Sequence, residues 1–217
     1  MLLVMDQHDI KNFQIIDELD LVKSGDIAVD VGANVGDYTS AFLYKLNGSG
    51  HVYSIELDPD TYRYLVTKFG YRLNLDIMNT AISDKDGSID YYRHNTYHQM
   101  HSVSCGDGKV LAGKVSSSKL DTVLQSVGHI SVLKIDIEGA EQFAIHGMIE
   151  TLKKTDVIFL ENHNAEAWLE VFPLLDSFAC YNIESGRKIE NELDSPYQTI
   201  CVRKDNKELI SRLEIFF

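Results

Sequence analysis

VDVGANVGDYT, residues 29–39, runs from β-branched residues through glycine, alanine and asparagine into an aromatic and hydroxylated stretch. Such a passage reads as a buried strand ending in a tight turn that opens a helix. A dinucleotide fingerprint would require G-x-G-x-x-G, whose second glycine lets the backbone approach a pyrophosphate at the helix N-terminus. Asn34 stands at the second glycine position and Asp37 at the third, so a negative charge occupies the place of the pyrophosphate. The G-x-x-x-x-G-K-[ST] phosphate loop is also missing. The loop therefore suits an uncharged or cationic ligand, and an NAD-dependent oxidoreductase is disfavoured.

The next apolar run, HVYSIE, ends in Glu56, where a carboxylate can accept both hydroxyls of a ribose. Taken singly, Gly32 and Gly36 are ordinary turn glycines, and Glu56 is a strand-end charge or a helix cap. In register together they favour a nucleoside-type cofactor without phosphates.

Around this motif, apolar runs alternate with amphipathic ones, the βαβ pattern of an α/β fold. Helical spacing over 9–22 turns Ile10, Phe13, Ile16 and Leu19 inward, with Gly25 as its stop; a second helix spans 38–46. Asp58 and Pro59 open a third helix, with Tyr62, Leu65, Val66 and Phe69 inward and Gly70 at its end. DIMNTAIS is a third strand, SIDYYR and KVLAGKVS an extended pair outside the nucleotide-binding half, and SKLDTVLQSVG a short helix. ISVLKIDIEGAE and DVIFLENH give the fourth and fifth strands, with the helix QFAIHGMIETLKK between them. After the helix AEAWLEVF, FACYNIE and YQTICVRK have no helical stretch between them and pair as an antiparallel edge hairpin. The expectation is a Rossmann-like, doubly wound, mostly parallel seven-stranded sheet with an antiparallel C-terminal hairpin. It forms one domain over 1–217: an N-terminal helical segment at 1–24, a cofactor-binding and catalytic core at 26–163, and a helix with edge strands at 164–217.

With 33 acidic against 20 basic residues the formal charge is −13, which opposes the phosphate neutralisation that nucleic-acid binding needs. The five apolar residues of MLLVM fall short of a signal peptide or a membrane span, so the expectation is a cytoplasmic protein with no membrane and no nucleic-acid partner. Cys105, Cys180 and Cys201 are odd in number and widely spaced, which reads as reduced core thiols.

The chemistry concentrates in LKIDIEGAE and LENHN. On a strand, Asp136 and Glu138 share one face, as do Glu161 and His163, and neighbouring strands would bring the four together beside the glycine loop. Two readings follow: His163 as general base oriented by Asp136 or Glu161, or a hard cation held by the carboxylates. The first, with no metal, is preferred. Glu141 reads as helix N-terminal charge. His94, His98 and His101 have helical spacing, but poor helix formers surround them and no cysteine or carboxylate completes a set, so a substrate-facing loop is expected there.

VDVGANVGDYT, VYSIELDPD, NTAISDKDGSIDYY, SSSKLDTVL, and LKIDIEGAE with its downstream E-x-H resemble the FkbM-type methyltransferases, of the class I S-adenosylmethionine-dependent superfamily. The likeness spans about residues 26–163, and LKIDIEGAE with E-x-H is its most specific part. The resemblance implies S-adenosyl-L-methionine as cofactor. Asp30, Gly32, Ala33, Asn34, Gly36 and Thr39 would lie around its methionine part, Glu56 at its ribose, and Ala81 by the adenine with Ile82 or Asn79 near. The convergence argued above gives His163, Asp136 and Glu161 as the expected catalytic residues, and the expected reaction is methylation of a hydroxyl of a sugar or small metabolite. The alternatives are a silent cofactor-binding protein of the same fold and a metal-assisted methyltransferase. No lid domain is expected, which leaves the site open to a large acceptor or covered by a second copy in a homodimer.

Overall fold

A computed structural model describes residues 7–94, 102–103 and 108–217. Strands and helices alternate through the first part of the chain: α1 (Gln7–Glu18), β1 (Ile27–Val31), α2 (Asp37–Leu46), β2 (His51–Glu56), α3 (Pro59–Phe69) and β3 (Leu75–Asn79). Next come β4 (Ala81–Ile82), β5 (Gly87–His94), β6 (Lys109–Ser118) and α4 (Leu120–Val123). The remainder is β7 (Ile130–Ile135), α5 (Glu141–His146), α6 (Ile149–Lys153), β8 (Thr155–Glu161), α7 (Ala165–Val171), β9 (Phe178–Asn182), β10 (Gln198–Arg203) and α8 (Lys207–Phe216).

The main sheet has the order β3-β2-β1-β7-β8-β10-β9. Its pairings are parallel except for β10, which runs antiparallel to both neighbours. The expected seven-stranded fold is present, and the hairpin's second strand lies inside it, between β8 and the edge strand β9. Strand order reverses between β1 and β7, and ligands of such sheets bind outside the carboxyl ends of the strands at that point. Every residue of β7 is buried, as a strand covered on both faces requires. One face packs Leu133, Ile135 and Trp168 under α4 to α7. The other packs Ile16, Phe42 and Val132 under α1, α2 and α8.

Several local expectations are corrected. α1 ends at Glu18: Asp20 adopts φ 52°, and Leu21 N–H donates to Ile16 O at 3.1 Å, so a left-handed aspartate rather than Gly25 closes the helix. Val66 is 42% exposed on the outer side of α3. DIMNTAIS splits at Thr80, with β3 in the main sheet and β4 in a second sheet of order β4-β6-β5. The helix after β7 breaks at Gly147, where a Cβ would stand 1.9 Å from the Ser83 carbonyl oxygen. α8 has no counterpart in the expected element order. Cys180 and Cys201, directly paired across β9 and β10 with Cα atoms 4.1 Å apart, form a disulfide and are not the free thiols expected, though both are buried. Among the described residues, no helix is long and apolar enough to cross a membrane.

Candidate active site

β1 delivers the glycine loop to the carboxyl edge of the sheet. Gly32 (φ 76°), Asn34 (φ 47°) and Gly36 (φ 81°) all adopt left-handed backbone, which glycine tolerates and asparagine tolerates better than most residues. A Cβ on Gly32 would lie 1.7 Å from the Asp136 carbonyl oxygen, so the loop sits directly on the chain leaving β7. The N–H groups of Gly32 and Ala33 both donate to Ile55 O at 3.0 Å, which ties the loop to β2.

Glu56 reinforces that tie. Its Oε2 accepts from Asn34 N–H at 2.9 Å and its Oε1 from Asp58 N–H at 2.8 Å. Burial raises its pKa, while the two N–H donors act against the rise. Each oxygen keeps a second lone pair, and a ribose would have to use those. Asp58, with its side chain on Asp60 N–H and Thr61 N–H, is the cap of α3.

Beside the loop lies an apolar slot lined by Val31, Ile55, Leu57, Ala81, Ile137 and Ala140, with Gly32 in its wall. Ala81 thus borders the same space as the loop, and Ile82 joins it there. Asp30 and Thr39 are placed otherwise. Both are fully buried beneath the loop, where Thr39 N–H and Oγ1–H donate to Asp30 Oδ2 at 3.0 and 2.7 Å. Buried and bonded to each other, they brace the turn from below. Asp37 faces Lys68 at 3.7 Å at the start of α2.

The carboxylate set converges as expected and gathers further residues. His163 Nδ1 is 3.0 Å from Glu141 Oε1, and its Nε2 is 3.2 Å from Glu161 Oε1 and 3.4 Å from Glu138 Oε2. Burial opposes a charge on the ring, but the Glu141 and Glu161 hydrogen bonds outweigh it and raise the His163 pKa to about 10. An imidazole protonated on both nitrogens has no lone pair to accept a substrate proton. His163 is thus held among carboxylates in an arrangement that favours the imidazolium over the neutral ring that a general base uses. Glu161 is itself pulled below its ordinary pKa: burial pushes upward, and hydrogen bonds from His163 and Tyr197 more than reverse it. Tyr197 O–H donates to Glu161 Oε1, and its ring meets His163 edge-on at 5.5 Å.

Asp136 behaves differently. Its side chain is 28% exposed, with Oδ2 3.4 Å from Lys134 Nζ. Burial, joined by the Glu161 charge, lifts its pKa to about 6 against the pull of Lys134. Glu138, on a left-handed backbone at φ 56°, is lifted to about 7 by burial and by Asp136. Both carboxyls are thus shifted toward neutrality, the direction that suits proton transfer.

Lys134, Glu141 and Tyr197 are site residues that sequence reasoning missed. Asp136 directly follows β7 and Lys134 stands two residues before it, so the period-two argument applied to Asp136 would also have found Lys134. Glu141 is 1% exposed and accepts from Gly139 N–H at 3.0 Å as well as facing His163. It is more than helix N-terminal charge, but only its fold neighbours reveal this. Tyr197 arrives from beyond β9 with no local signal.

Among the described residues, Asp136, Glu161 and His163 bring one ligand-type atom each within 4.8 Å of one another. The Lys134 ammonium lies 3.4 Å from Asp136 Oδ2, a like charge beside any cation that this set would hold. His94 lies on β5, a strand and not a helix face. His98, His101 and Cys105 fall outside the described residues.

The model of the FkbM methyltransferase domain matches residues 30–181. A curated relative, the 2-O-methyltransferase NoeI of Sinorhizobium fredii, is 26% identical, the match covering 71% of this chain and 70% of that one. Among solved structures, an FkbM methyltransferase from Methylobacillus flagellatus superposes with a TM-score of 0.55 at 14% identity. That match covers 82% of this chain but only 43% of the Methylobacillus one, so this chain spans less than half of that protein. An rRNA methylase from Streptococcus thermophilus gives 0.50 at 14% identity, over 93% and 98% of the two chains. At such identities the solved structures support the fold alone. The family model takes in the glycine loop, Glu56, LKIDIEGAE and the E-x-H pair in one continuous match, and on that ground the chain belongs to the FkbM family of methyltransferases.

Proposed function

We propose that the protein transfers the methyl group of S-adenosyl-L-methionine to a hydroxyl oxygen of a sugar or small metabolite. The observation that carries this reading is the contact between the Gly32 turn and the chain at Asp136: a loop hostile to phosphate and a proton-accepting carboxylate meet at one sheet edge. The slot around Ala81 is mostly apolar, as an adenine ring favours, and Glu56 stands at the end of β2 where it would meet the ribose. The 2-O-methyltransferase relative supports an oxygen acceptor.

In this reading the acceptor hydroxyl lies between the sulfonium methyl and Asp136. Its oxygen attacks the methyl carbon, the carbon–sulfur bond breaks with its electron pair staying on sulfur, and the hydroxyl proton passes to the Asp136 carboxylate. A hydroxyl is too weak an acid to ionise unaided, and a base with a pKa near the working pH is the efficient partner. His163 serves as a fixed cation that keeps Glu161 ionised and in place. Four carboxylates around the acceptor place favour a neutral or cationic substrate over an anionic one.

Titration calorimetry with S-adenosylmethionine, S-adenosylhomocysteine and NAD tests the cofactor. The first two are expected to bind and NAD to give no heat, and binding of NAD alone would overturn the reading. Incubation of labelled S-adenosylmethionine with a panel of neutral, amino and acidic sugars, with and without EDTA, tests the transfer. Label is expected on neutral or amino sugars regardless of chelator, and loss of turnover with EDTA would favour the metal-assisted alternative.

A further inference from the structure

Lys134 is an almost fully buried lysine on β7, directly opposite Asp30 of β1 in the sheet register. Its Nζ donates to the Gly32 carbonyl oxygen at 2.7 Å and lies 3.6 Å from Asp30 Oδ1 and 3.4 Å from Asp136 Oδ2. It also stands over the Tyr38 ring at 5.2 Å. Tyr38 is held in turn, accepting from Asn12 Nδ2–H at 2.7 Å and donating to Asp9 Oδ1 at 2.9 Å. The ammonium is therefore located from α1, α2, β1 and β7 at once. A buried lysine is normally pushed toward neutrality, but here Asp136 and Asp30 overcome the desolvation and raise its pKa, so it stays charged.

Gly32 is held through both of its flanking peptides, its N–H donating to Ile55 O of β2 and its carbonyl accepting from Lys134 of β7. The same ammonium is the close counter-charge of the Asp136 carboxylate. We propose that Lys134 is a positioning residue that couples the two halves of the site: one buried cation fixes the glycine loop on which the cofactor sits and neutralises the carboxylate that receives the proton. This rests on the proposed function for the roles of loop and carboxylate, and on the geometry alone for the link between them.

The groups facing Asp136 set what a change at Lys134 will do. Lys134 and Glu138 come from its own strand and turn, Asp30 from β1, Tyr38 from α2, Glu141 from α5, Glu161 and His163 from β8 and beyond, and Tyr197 from the approach to β10. Lys134 and His163 are cations of that group, Lys109 of β6 adds a third at its edge by donating to the Glu138 carbonyl at 3.0 Å, and His163 is already shared among Glu141, Glu161 and Glu138.

The test uses Lys134→Met in the full chain, a change that keeps the length and apolar stem but removes the charge and the donor. S-adenosylhomocysteine affinity is expected to fall about tenfold, as for a buried carbonyl that loses its charged donor. Independently, carbon-13 NMR of labelled aspartate carboxyls, with Asp136→Asn to assign the resonance, should show the Asp136 midpoint rising by about one pH unit or more. Lys134→Met also strands the Asp30 charge, so the double variant Asp30→Asn/Lys134→Met is measured beside it. That pair restores neutrality beneath the loop, yet both defects are expected to persist. Wild-type affinity and midpoint in the folded double variant would show that Lys134 merely neutralises Asp30, and movement of only one readout would overturn the coupling. If the wild type binds no S-adenosylhomocysteine, the cofactor reading falls, and an unmoved Asp136 midpoint in the variants still overturns the coupling.

Discussion

An imidazole flanked by carboxylates on both nitrogens is a cation first and a base only in strongly alkaline solution, and His163 sits in that arrangement. The proposed function therefore gives proton acceptance to Asp136, exposed on one side and balanced between the Lys134 ammonium and the neighbouring negative charges. Asp136→Asn is expected to lower kcat about a hundredfold or more while leaving S-adenosylhomocysteine affinity nearly unchanged, as loss of a general base predicts. A matched loss of affinity, seen by calorimetry, would assign Asp136 to cofactor binding instead. The sequence already pointed to Asp136, Glu161 and His163, because period-two spacing at two strand ends is a local property. It could not assign their protonation, which depends on Glu141 meeting His163 from a helix 22 residues earlier in the chain. For the same reason Asp30 and Thr39 were legible as members of the motif but not as its underside.

The β1–α2 turn illustrates how close packing selects residue type. With 1.7 Å between a Cβ at position 32 and the Asp136 carbonyl oxygen, Gly32→Ala must displace backbone in one of two strands that anchor the sheet. Destabilisation above about 2 kcal/mol is expected, together with loss of cofactor binding, from the clash and the positive φ combined. Chemical denaturation of the variant checks it, and a midpoint within error of wild type would show that the turn relaxes freely. Gly36 is held differently: its missing Cβ faces the side chains of Leu65 and Phe69, so α3 packs against the turn there. The strands of the main sheet were readable because each is a short apolar run bounded by glycine, proline or charge. The places where one run serves two sheets, as at Thr80, or one helix breaks in two, as at Gly147, were not. Those events answer to neighbours far away in the chain, and periodicity reports only on the run itself.

Considered as a whole, the molecule stores like charges at one edge of its sheet, and its pH dependence follows. His163 binds its proton more tightly folded, with a pKa near 10, than in an unfolded chain at the ordinary 6.5. Its contribution to stability is complete below about pH 6.5 and is lost as pH rises toward 10. Asp136 and Glu138 are also raised, so they too favour the folded state less as pH climbs through their window, which lies below His163's. The melting temperature is expected to decline between about pH 7 and 9.5, and His163→Gln should flatten that decline. An equally steep decline in His163→Gln would place its origin elsewhere.

The seven-stranded architecture could be read from element order alone, whereas the small second sheet needed the three-dimensional contacts of β4, β5 and β6. That sheet meets the helical layer at Gly147, where Ser83 at the end of β4 leaves no room for a side chain and Asp121 N–H donates to the Gly147 carbonyl at 3.0 Å. Ala81 begins β4 and Glu141 begins α5. The wall of the apolar slot and the carboxylate beside His163 thus belong to elements that meet at one tight contact, and a side chain placed at Gly147 is expected to disturb both.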